Sequence, residues 1–200
     1  MTKQLNKMLQ GAVIAAAAGL SIGASAQGVQ VPAGLKWQSM REIVFNGNNF
    51  SSTGTAEDRA LLAKIWAKEL AGGEKDPTDG SLPVSFTLIG EVENGGNKVI
   101  LTMYDRIGSE CYPPGNGRGM VDMYATCPLR VLLWPTGKPV VVKNLPVNFC
   151  MLFGDDSDNP RVKNHNEYAF DERSGIVYLR LIQYGKVVPA CNRALQVFQV

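Results

Sequence analysis

From Val84 onward, short runs alternate apolar and polar residues, and each run closes on Gly, Pro, Asn or Asp; no other feature constrains the fold as strongly. Val84, Phe86, Leu88 and Gly90 alternate with Ser85, Thr87, Ile89 and Glu91. Asn94-Gly95-Gly96-Asn97 then supplies a tight reversal, and Val99, Leu101 and Met103 resume the pattern, which predicts a hairpin. Further strands are expected over 120–125, 129–134, 139–143, 147–153, 167–171, 176–183 and 194–200. Pro135-Thr136-Gly137-Lys138 and Glu172-Arg173-Ser174-Gly175 read as hairpin turns between pairs of them. So many short strands at regular spacing predict a mainly β domain, an antiparallel sandwich or partly open barrel.

One helix is added to this pattern. Thr55 followed by Asp58 resembles a capping box with Asp in place of Glu, and Glu57 and Asp58 suit the positive end of a helix. Over 56–71, Leu61, Leu62, Ile65, Trp66 and Leu70 recur at three- and four-residue steps, with Arg59, Lys64 and Lys68 on the other side. Gly72 and Gly73 end it. Such a stripe is expected to pack on a sheet. Before the helix, Trp37, Ile43, Val44 and Phe45 predict one strand or extended arm, followed by a polar loop.

The first twenty-six residues read as a cleavable export signal. Lys3 and Lys7 form the positive region, residues 9–22 the apolar core, and Ala24-Ser25-Ala26 the small-x-small cleavage site. The apolar run is shorter than the roughly 20 residues a membrane-spanning helix needs. No cysteine lies near the cleavage site, which argues against a lipid anchor. The expected organisation is a cleaved signal, 1–26, and a single exported domain, 27–200, periplasmic or secreted, from a bacterial source. The formal charge of +2 resides in Lys3 and Lys7, because the 20 basic residues exceed the 18 acidic ones by two and the signal contains no acid. A neutral mature domain without a basic cluster speaks against nucleic acid as a partner.

Export changes what the four cysteines can do. Cys111, Cys127, Cys150 and Cys191 meet an oxidising compartment in even number, which predicts two disulfides. Pairing Cys111 with Cys127 would close a short turn-rich loop and leave Cys150 for Cys191, although spacing alone leaves three connectivities open. No two cysteines are close enough for a structural zinc site, so neither metal nor cofactor is expected. Oxidised cysteines also offer no thiolate nucleophile.

Within the loop 112–119, Tyr112, Asn116 and Arg118 are the candidate binding residues. The glycines there let backbone approach a ligand, and Arg118 suits a carboxylate or phosphate. The acidic run Asp155-Asp156-Ser157-Asp158-Asn159 fails the calcium-loop template, since Pro160 and Arg161 fall where an oxygen ligand and a glycine are required. His165 is the only histidine, set in the polar turn Asn164-His165-Asn166-Glu167; Glu91 and Glu93 share one strand face. With no complete catalytic constellation, no catalytic residue is assigned. The expectation is a disulfide-bonded binding or structural subunit of a cell-envelope assembly, whose partner is another envelope protein, with no membrane span after cleavage. The alternatives are an inhibitor or immunity protein that inserts the Cys111–Cys127 loop into an exported toxin or hydrolase, and a small hydrolase using carboxylates.

Overall fold

The computed structural model describes residues 29–45, 53–72, 78, 84–106, 111, 124–134, 141–152 and 164–198. The expected export signal, Tyr112, Asn116 and Arg118, the expected turn 135–138 and the acidic run 155–159 lie outside the described residues.

Two antiparallel sheets face each other. The first has the order β2-β3-β4-β5-β6, formed by β2 (Arg41–Phe45), β3 (Ser85–Asn94), β4 (Asn97–Arg106), β5 (Ala125–Trp134) and β6 (Val141–Met151). The second joins β1 (Gln38–Ser39), β7 (His165–Asp171), β8 (Ile176–Gln183) and β10 (Arg193–Gln196), with β9 (Lys186–Val187) also on β8. The sheets remain open, as a sandwich and not a closed barrel. The expected hairpin is β3–β4, with Asn94 opposite Asn97. Gly95 and Gly96 sit at φ 56° and 78°, the left-handed pair that a two-residue turn between twisted strands requires.

β3 and β4 are buried on both faces, so the first sheet is a middle layer. Its inner face sets Leu88, Val92, Val99, Leu101, Met103 and Leu129 against Tyr168, Val177, Leu179 and Leu181 of the second sheet. Gly90 lets them meet, since a Cβ there would lie 2.9 Å from Cδ1 of Tyr168. On the outer face, Ile43, Ile89, Ile100, Tyr104 and Leu132 receive Leu62 and Trp66. The helix stripe therefore packs on the sheet, as its periodicity predicts.

The helix comprises α1 (Ala56–Ile65) and α2 (Ala67–Ala71), joined at Trp66. Hydrogen bonds from Trp66 N to Leu62 O and from Leu70 N to Trp66 O carry the ladder through the joint. The irregularity has a partner across the interface. Arg130 on β5 donates to the Ile65 carbonyl at 2.5 Å and to Glu69 Oε1 at 2.5 Å, and its guanidinium lies 4.0 Å from the Trp66 ring centroid. Trp66 also stacks on Tyr104 and donates from Nε1 to Thr102 Oγ1 at 3.1 Å. Only half of the capping box forms. Thr55 Oγ1 accepts from Asp58 N at 3.0 Å, but the Asp58 carboxylate goes to Arg41 at 2.9 Å.

Several expected boundaries shift, and β5 runs through Pro128 from Ala125 in place of the expected start at 129. The N-terminal arm is two strands in different sheets, with Met40 buried at the crossing and its N–H donated to Asn166 O. The segments 139–143 and 147–153 form one strand, β6, because the register jumps from Pro128↔Asn148 to Arg130↔Asn144 and absorbs the irregularity as a bulge. The last strand is the shorter Arg193–Gln196.

Candidate functional site

Both expected disulfides form, Cys111 with Cys127 and Cys150 with Cys191. The first ties the start of the loop carrying Tyr112, Asn116 and Arg118 to β5, and the second ties β6 to the 3₁₀ turn Pro189–Cys191 before β10. The second staple therefore joins the two sheets at one side of the sandwich.

Asn166 reinforces that side. Its side chain, 2 % exposed, donates from Nδ2 to Cys150 O at 2.6 Å and accepts from Leu152 N at 3.1 Å. A strand's carbonyl at one residue and N–H two residues on point the same way, so one amide satisfies both as a neighbouring strand would. The C-terminal end of β6 is thereby closed.

Its N-terminal half is open. β6 has β5 on one side and, among the described residues, no strand on the other. Val141 and Val142 point to opposite faces, as successive strand residues do, yet are 45 % and 51 % exposed. Neither face is covered there. Elsewhere, Val44 exchanges hydrogen bonds with Thr53 at the β2 edge, and β1, β9 and β10 are only two to four residues long. The residues 141–145 thus offer an edge with no partner strand among the described residues, and extended peptides pair with such edges. Sequence reasoning did not single it out. Pro139 and Pro146 flanking an apolar run that contains Lys143 is the signal that could have done so, since Pro and Lys mark edge strands.

The candidate catalytic groups are engaged elsewhere. His165 Nε2 and Glu167 Oε1 are 2.8 Å apart, Glu167 Oε2 accepts from Arg180 Nε at 2.5 Å, and Arg180 stacks 3.8 Å from the Trp37 ring centroid. This array anchors the N-terminal arm to the outer face of β7 and β8. Glu91 pairs with Arg41 at 2.8 Å and with Lys98. Burial raises its pKa, but the hydrogen bonds from Lys98 and Arg41 outweigh burial and hold it below the usual carboxylate value. A carboxylate held ionised supplies no proton as a general acid. Glu93 is exposed at the end of the hairpin.

Among the described residues no helix is long and apolar enough to cross a membrane. Comparison with protein-family models, curated proteins and solved structures finds no match.

Proposed function

We propose that this protein is an exported, disulfide-stapled binding subunit of a cell-envelope assembly, which takes an extended segment of an envelope partner as an added strand along β6. The open edge at Val141 and Val142 carries the reading. Two disulfides support an oxidising compartment, where a folded domain is held by covalent staples. The Asn166 bridge and the Cys150–Cys191 bond keep one end of β6 rigid, so the open half is presented without a large ordering cost. Charge favours an acidic or neutral partner strand, because the span 135–152 contains Lys138 and Lys143 and no acidic residue.

The test is to recover the protein natively from the exported fraction and compare it with Val142→Lys. The wild type is expected in a complex larger than one chain and the variant as a single chain with the same melting temperature. A variant that stays in the complex, or a wild type recovered alone, overturns the reading.

A further inference from the structure

Among the described residues, the Cys111–Cys127 bond has a carboxylate grouped with its sulfurs and the Cys150–Cys191 bond has none. The Asp105 carboxylate lies within 4.8 Å of both of its sulfurs. Register explains the meeting. β4 and β5 pair through Met103↔Leu129, so two residues further on Asp105 comes opposite Cys127 on the same face. That face is the inner one, occupied by Leu101, Met103, Leu129 and Val131, and a carboxyl at its rim departs from an otherwise apolar pattern. Burial pushes the Asp105 carboxyl up from its ordinary value, which favours its protonated form. The two ends of the disulfide also differ. Cys127, Cys150 and Cys191 are buried, whereas Cys111 is partly exposed.

We propose that Cys111–Cys127 is an exchangeable disulfide, attacked by an external thiol at Cys111, with Asp105 delivering a proton to the departing Cys127 sulfur. The attacking thiolate forms a mixed disulfide with Cys111 Sγ, the bond between the two protein sulfurs breaks, and its electron pair leaves on Cys127 Sγ. Asp105 protonates that sulfur, directly or through one water, and recovers a proton from solvent. A second thiol then attacks the mixed disulfide, leaving two protein thiols and one external disulfide. The protein gains two electrons and the external thiols lose two. Cys150–Cys191, with both sulfurs buried and tied into the sheet junction, stays closed under the same conditions.

The experiment exposes the folded wild-type protein to a small thiol, quenches at short times with an alkylating reagent, and maps the peptides. The expected result is the small thiol on Cys111, alkylation on Cys127, and Cys150–Cys191 intact. An adduct on Cys127, or opening of Cys150–Cys191 at an equal or greater rate, overturns the proposal. In Asp105→Asn the opening of Cys111–Cys127 is expected to slow about a hundredfold, the low side of what a positioned general acid contributes. An equal or faster opening in that variant overturns the role of Asp105.

Discussion

Gly90 lies under the Tyr168 ring where the two sheets pack, and a methyl group at Gly90 would meet that ring at 2.9 Å. Gly90→Ala is expected to cost about 1–3 kcal/mol of unfolding free energy by overpacking, measured by urea denaturation. Two carboxyls carry opposite pH signatures. The folded pKa of Glu91 is depressed, so its contribution is complete above the ordinary value of 4.5 and is lost as pH falls through the folded value. Glu91→Gln is therefore expected to be less stable than wild type at neutral pH, and the two should converge once acidification takes the pH below the folded value. A constant difference would show that the pairs with Arg41 and Lys98 contribute nothing. The folded pKa of Asp105 is raised, so its contribution is present below the ordinary value of 3.8 and is lost as pH rises through the folded value. Asp105→Asn is expected to melt no lower than wild type at neutral pH, because burial favours a neutral group at this position and the amide is neutral at every pH.

At the level of elements, the helix is capped at Thr55 and seated through Trp66. Thr55→Ala is expected to cost about 1 kcal/mol, the usual worth of an N-cap. Trp66→Ala should cost about 3–5 kcal/mol, since it empties a fully buried site and removes the ring under Arg130. Both are read from denaturation midpoints. The helix, its cap and its buried stripe were legible because each depends on residues close in sequence. The β3–β4 hairpin and the β7–β8 hairpin were legible for the same reason, since alternation and turn chemistry are local. Pro128 and Pro146 misled, because a bulge let β5 and β6 continue through positions that read as breaks. The Arg130 clamp, the Asn166 bridge and the meeting of Asp105 with Cys127 depend on partners brought together by register or across sheets, and residue type alone gave no sign of them. The open edge at 141–145 arises similarly, from the absence of a neighbouring strand among the described residues.

For the whole molecule, the disulfides divide the work. Chain-entropy estimates give about 4 kcal/mol for the bond spanning 41 residues and about 3 kcal/mol for the one spanning 16. Replacing both Cys150 and Cys191 by Ala is thus expected to lower stability more than replacing Cys111 and Cys127, and also to loosen the end of β6 that Asn166 holds. The expected export signal and the cysteine count imply staples in place of thiol or zinc chemistry, and the sandwich adds an edge held firm at one end and open, among the described residues, at the other. The most direct test places a photo-crosslinking residue at position 142 and, as a control, at the exposed Val187 on the short β9. Irradiation in the native exported compartment is expected to yield one discrete adduct with an envelope protein from position 142 and none from position 187. No adduct at 142, or the same adducts from both positions, would mean that β6 is not a partner-binding edge.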